Sequence, residues 1–185
     1  SSWMRPSEVA LPPTMSPSSA AAPAEAPATN PIAKVSAVPV PLGHTPLQRH
    51  LGIYYLDDLD SPPADGSATV QAEMRDELRG PAGSLEGGLV ATLLDIAGAT
   101  AASRALDGRV ATQSLSISFT APVRVGPAVA TGHPVRVGKR DAVVEVRLVD
   151  AGNDNRLCAT ALLTAVRIGA RPGIGADGLA EQSRR

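Results

Sequence analysis

An antiparallel sheet packed on one long buried helix, an α+β domain, is the fold class that this 185-residue sequence predicts. Three observations carry that expectation. The stretch from Gly87 to about Leu106 has the Ala- and Leu-rich, proline-free composition of a long helix. Four strand-like runs follow it, at Thr112 to Thr120, Ala128 to Val137, Ala142 to Val149 and Arg156 to Ile168. The links between the later runs, Val125-Gly126-Pro127, Gly138-Lys139-Arg140-Asp141 and Gly152-Asn153-Asp154-Asn155, are short turn chemistry of the kind that joins antiparallel neighbours.

From the start of the chain, prolines recur among Ala, Ser and Thr between Pro6 and Pro41. Such a composition buries too little apolar surface to offset the entropy of ordering it, so residues 1–43 are expected to form a disordered or extended arm. Thr45-Pro46 then opens a short helix, with Thr as N-cap and Pro at the first helical position, expected to seal one end of the core. Ile53 to Asp57 reads as a strand. Ala68, Val70, Ala72 and Met74 alternate with Thr69, Gln71 and Glu73 at the period of a half-buried one. At about 1.5 Å per residue the helix from Gly87 runs about 30 Å, and being apolar nearly all round it should be buried. Leu115, Ile117 and Phe119 face one way on the next strand, and Pro134 marks a bulge or an edge. The domain is expected to span 44–169, followed by a Gly-rich polar tail at 170–185.

Composition narrows the function classes. Lys and Arg number 17 against 18 Asp and Glu, so no net field favours nucleic acid or an anionic membrane. With Trp3, Tyr54, Tyr55 and Phe119 as the whole aromatic set, a base-stacking platform lacks material. Asp95 and several glycines interrupt the longest apolar run, which excludes a spanning helix there, and the start lacks the order of a secretory signal. A soluble, cytoplasmic protein is expected. Cys158 has no partner for an intrachain disulfide, and His44, His50 and His133 lack metal-ligand spacing, so no metal site is inferred. No serine sits in a nucleophile elbow.

The chemistry concentrates in the helix. Between Glu86 and Arg104 the single ionisable group is Asp95, where an unpartnered buried charge would cost several kcal/mol. Asp95 is therefore paired, or faces a cleft or a subunit boundary. Upstream, Gly87-Gly88 opens the helix and leaves backbone N–H groups at the positive end of its dipole, able to hold a developing oxyanion. The alternative for these glycines is close packing of helix on sheet.

Gly83-Ser84-Leu85-Glu86-Gly87-Gly88-Leu89-Val90-Ala91-Thr92-Leu93-Leu94-Asp95, followed by Ala111-Thr112-Gln113-Ser114-Leu115-Ser116-Ile117-Ser118-Phe119-Thr120-Ala121-Pro122-Val123, resembles the phenylacetate-pathway (PaaI-like) group of hotdog acyl-CoA thioesterases. The likeness runs from about Pro46 to Ile168. It implies a hotdog fold, a central helix wrapped by five or six antiparallel strands, in homodimers or homotetramers whose sites lie between subunits. It also implies hydrolysis of an acyl-CoA or acyl-carrier thioester, with coenzyme A present only as part of the substrate and no further cofactor. By the same resemblance Asp95 is general base or nucleophile, the Gly87 N–H is the oxyanion donor with Gly88 beside it, and Thr112 positions the acid or the attacking water. Gln113 would lie on the face of Leu115 and hydrogen-bond inward. Arg136, Lys139 and Arg140, a positive hairpin, are candidates for the phosphates of coenzyme A. Two positions depart from the family: its usual His before the glycine pair is Glu86, and the Asn six residues earlier is Gly80. Glu86 is left with three roles: helix cap, second acid or base, or mark of a site that binds without turnover. The rival functions are a non-hydrolytic acyl-thioester binder and a scaffold whose proline-rich arm docks a partner.

Overall fold

A computed structural model describes residues 40–41, 45–58 and 61–170. The elements, in chain order, are β1 (Val40–Pro41), α1 (Pro46–Leu51), β2 (Ile53–Tyr55), β3 (Ala68–Ala72), a 3₁₀ turn (Asp76–Leu78), α2 (Gly87–Ala105), β4 (Gly108–Phe119), β5 (Ala128–Val137), β6 (Asp141–Asp150) and β7 (Arg156–Ala170). All pairings are antiparallel, in the order β1-β2-β3-β5-β6-β7-β4. The expected strand count rises to seven because Val40 and Pro41, inside the expected arm, pair with Tyr55 and Tyr54. The rest of the arm and the 171–185 part of the tail lie outside the described residues, while β7 continues through Ala170.

The short helix α1 forms for the expected reasons. Thr45 Oγ1 accepts the Gln48 N–H at 3.2 Å, Pro46 stands at the first helical position, and Gly52 closes the helix at φ 63°. It does not seal the core: no residue of α1 is buried, Leu47 is 61% exposed, and Leu51 alone from this helix packs against the core.

In α2, Leu89, Val90, Leu93, Leu94, Ala97, Ala101 and Ala102 form one buried stripe. Close approach to the sheet depends on two glycines. A Cβ on Gly98 would stand 2.7 Å from Leu163 Cδ1, and one on Gly132 of β5 would stand 2.8 Å from the Ala97 carbonyl oxygen. Facing the stripe, β6 buries Ala142, Val144, Val146 and Leu148 while exposing Glu145 and Arg147, and β7 buries Ala159, Ala161, Leu163 and Ala165. Fully burying a leucine such as Leu93 or Leu148 contributes roughly 2–3 kcal/mol. The helix is not buried all round, as its composition led one to expect: Ala91, Asp95, Ile96 and Ala99 remain half-exposed on its other side.

Two polar clusters hold the ends of the sheet. Near the C-terminus of α2, Arg104 Nη1 donates to Asp57 Oδ2 at 2.7 Å and to the Ser67 carbonyl, while the Asp57 carboxylate accepts the Thr69 N–H at 3.0 Å. The Arg104 and Asp57 side chains are 5% and 7% exposed, and the hydrogen bonds at Arg104 Nη1 replace only part of the lost solvation, since Arg104 Nε and Nη2 are buried without a partner among the described residues. At the other end, Asp150 is fully buried and accepts three backbone N–H groups, from Arg124 at 2.8 Å, Val125 at 3.1 Å and Gly126 at 2.6 Å. Burial alone would push its carboxyl up, but these three donors, with Arg156 nearby, bring it below the ordinary aspartate value.

Candidate active site

The start of α2 is set by the strand-like segment before it. The Glu86 N–H donates to the Leu78 carbonyl and the Leu85 N–H to the Val123 carbonyl, both at 2.9 Å, which fixes Glu86 as N-cap in an extended conformation. The Glu86 carbonyl then accepts the Leu89 and Val90 amides at 3.0 and 3.1 Å. That leaves the Gly87 and Gly88 amides, which at a helix start have no carbonyl four residues back to bond. Both glycines are exposed. A Cβ on Gly88 would meet nothing within 4 Å, and one on Gly87 only the edge of the Phe119 ring at 4.0 Å. Close packing of helix on sheet, the alternative reading of this pair, belongs instead to Gly98.

A cavity of about 400 Å³ opens beside Gly87, lined by Gly87, Val90, Phe119, Ala121, Pro122 and Cys158 among others. Phe119 ends β4 here at 60% exposure, and Cys158, itself buried, has its thiol pushed up by burial and by the Asp150 charge. The thiol is therefore poorly disposed to ionise. Neither residue was singled out for the site from the sequence, although the odd-numbered apolar alternation in Leu115, Ile117 and Phe119 already aimed Phe119 at the helix side.

Asp95 lies eight residues further along α2, about 12 Å along the axis from Gly87. It is half-buried, and Thr112 Oγ1 donates to its Oδ1 at 2.7 Å. Its Oδ2 makes no hydrogen bond among the described residues. The Thr112 contact depends on an irregularity in β4. Thr112 pairs with Ala165 and Ser114 with Thr164, so Gln113 is an extra residue, a bulge opposite β7. The bulge changes the parity of the strand: Val110 and Thr112 face the helix before it, and Leu115 and Ile117 after it. Gln113 itself is exposed and its side chain makes no hydrogen bond among the described residues, because the bulge turns it out of the inward face expected for it.

Glu86 is exposed and its carboxylate makes no capping bond to the helix. The basic hairpin sits at the Thr112 end of the sheet, since Thr112 pairs with Ala165, Ala165 with Ala142 and Ala142 with Val137. There Arg136 is occupied by Asp141 at 2.8 Å, while Lys139 and Arg140 extend exposed side chains. Pro134 does mark a bulge, between the pairs it and Arg136 form with β6. Among the described residues, no three His, Cys, Asp or Glu side chains converge as metal ligands, and no helix is long and apolar enough to cross a membrane.

Comparison with known proteins agrees with this architecture. The family description "Thioesterase superfamily" matches residues 82–156, the segment from the loop before α2 to the start of β7. A provisionally named esterase of Saccharolobus solfataricus is 35% identical over 98 residues, which cover 52% of this chain and 69% of that protein. Among solved structures, the E. coli PaaI protein of the phenylacetic acid degradation operon superposes with a TM-score of 0.57 at 22% identity, covering 67% of this chain and 85% of that one. A Streptococcus mutans protein bound to acetyl-CoA superposes with a TM-score of 0.53 at 23% identity, covering 58% and 86%. With its curled antiparallel sheet around a single long helix, this chain adopts the hotdog fold and belongs to the thioesterase superfamily.

Proposed function

We propose that this protein hydrolyses the thioester of an acyl-CoA, in a site shared by two copies of the chain. The observation that carries this reading is the spacing of its two chemical groups. The open Gly87 amide and the half-satisfied Asp95 carboxylate stand about 12 Å apart along one helix, too far to act on one carbonyl. Two copies with their α2 helices side by side and antiparallel would bring the amide of one against the carboxylate of the other. The half-exposed outer side of α2, with Ala91, Ile96 and Ala99, and the unpaired edge of β4 are the surfaces such a pairing would cover. The same contact would explain why Gly87 and Gly88 have open space above them although nothing in the chain's own packing requires glycine there.

In this site the thioester oxygen accepts from the Gly87 N–H, with Gly88 beside it, and gains negative charge as water attacks the carbonyl carbon. Asp95 takes the proton from that water and returns it to the departing thiolate, giving a carboxylic acid and free thiol. Attack by the carboxylate itself, forming an anhydride that water then opens, uses the same geometry. Thr112 holds Oδ1 so that Oδ2 faces the substrate. Lys139 and Arg140, exposed at the Thr112 end of the sheet, are the cations placed to meet coenzyme A phosphates. The Streptococcus mutans neighbour's acetyl-CoA supports this substrate class, and the PaaI neighbour supports that subgroup.

The test is a thiol-release assay over a panel of acyl-CoA thioesters, comparing the native chain with Asp95→Asn. Release by the native chain, reduced at least about 100-fold in the variant, is expected for a lost general base. Undiminished turnover by Asp95→Asn on every accepted substrate would sink the mechanism. The second reading, binding of an acyl thioester without hydrolysis, is favoured by the acidic Glu86 beside the oxyanion donor; it predicts saturable binding with no thiol released.

A further inference from the structure

The side chain of Glu86 is folded away from the helix that it starts. The side chains that cap a helix start from the N-cap position are short ones such as Ser or Asp; the longer Glu86 carboxylate makes no such bond. It lies instead over Gly80: a Cβ built on Gly80 would stand 2.6 Å from Glu86 Oε2 and 3.6 Å from Glu86 Cδ. The room for this carboxylate is the space where any other residue at 80 would carry its first side-chain carbon. The Gly80 backbone does not itself need glycine, because its φ is not positive. Its surroundings are fixed, with the Gly80 N–H donating to the Ser84 carbonyl at 2.8 Å and the Gly83 N–H to the Gly80 carbonyl at 2.9 Å. A side chain at 80 therefore displaces the one thing free to move, the end of Glu86.

We propose that Gly80 is a positioning residue, whose bare Cα seats the Glu86 carboxylate away from the start of α2 and so keeps the Gly87 and Gly88 amides open to the thioester oxygen. The inference rests on the thioesterase reading above. Without the seat, the carboxylate turns toward the helix start, where it competes for the open amides and sets a negative charge beside an oxygen that must itself become negative. Gly80 and Glu86 then act as a pair: an acidic residue before the oxyanion glycine is compatible with turnover when residue 80 lacks a side chain.

A double-mutant cycle on the full chain tests this. Gly80→Ala is expected to lower kcat for acyl-CoA hydrolysis about tenfold, with the unfolding midpoint held within about 2 °C because only a flexible side-chain end must move. In the Glu86→Ala background, the same Gly80→Ala step should change kcat less than about twofold. Equal losses in both backgrounds would assign the effect to the loop backbone and overturn the proposal, as would an unchanged kcat in Gly80→Ala alone. Binding of a ketone analogue, an acyl-CoA with methylene in place of the thioester sulfur, separates this inference from the hydrolytic reading. If the native chain binds the analogue but releases no thiol, hydrolysis fails, and the seat stands only if Gly80→Ala weakens binding in the native but not the Glu86→Ala background. A native chain that neither binds nor hydrolyses removes both.

Discussion

Asp95 and Asp150 are both carboxylates set among apolar neighbours, and they are treated in opposite ways. Asp150 has no exposure and three backbone N–H donors, so its charge is fully answered by the turn it organises. Asp95 is half-exposed, with one hydroxyl on Oδ1. The first is built to stay ionised and still. The second keeps one oxygen uncommitted, as the proposed role of general base requires. A buried acid in this protein is therefore no evidence of chemistry by itself; what separates the two is how much of each carboxylate the fold has already used.

The contrast is open to attack from both sides. The largest expected effect is on folding. Asp150→Ala strips the shared acceptor, itself fully buried, from three backbone amides and should cost about 3–5 kcal/mol, read as a lower midpoint in urea or thermal unfolding. Asp95→Asn should do the reverse, leaving stability within about 0.5 kcal/mol while removing turnover at least about 100-fold, because its amide still accepts from Thr112. If Asp95→Asn unfolded the protein as severely as Asp150→Ala, the two carboxylates would both be structural.

Acid sharpens the same comparison. Asp150 is held below its ordinary value in the folded chain, so the unfolded chain binds its proton at higher pH than the folded chain does. The stability it contributes is thus fully present above the unfolded value of 3.8 and is lost as pH falls through the lower folded value. The stability gap between the native protein and Asp150→Asn should shrink on acidification below about pH 4, measured by urea unfolding across pH. The smallest expected effect is Thr112→Val, which removes the hydroxyl that orients Asp95. About a tenfold loss in kcat with little change in KM is anticipated, since a single hydrogen bond to a charged group is worth about 1.5 kcal/mol.

Much of this molecule is legible along the chain. The strands β5 and β6 fall within a residue of their alternation, and α2 begins at Gly87 as its composition indicates. Period and turn chemistry are local, and local signals survive folding. The misreadings all involve partners distant in sequence. Val40 and Pro41 read as arm because a two-residue strand has no pattern, and it exists only by pairing with Tyr54 and Tyr55. Arg104 appeared only as the end of an apolar run, because Asp57 and Ser67, which bury it, lie far upstream. Asp150 stands at a strand end where an acid is ordinary, and nothing nearby announces the three amides of residues 124–126.

By itself the sequence determined the order of elements, the isolation of Asp95 in its helix, the glycine pair before it and the superfamily motif that joins them, because each is a matter of spacing along one stretch of chain. Only the tertiary structure decided how those parts are used. The bulge at Gln113 turns Thr112 onto Asp95, and Gly80 receives the Glu86 carboxylate. Each of these depends on which atoms meet across the fold, and a shift of one residue in strand pairing turns every side chain beyond it to the other face.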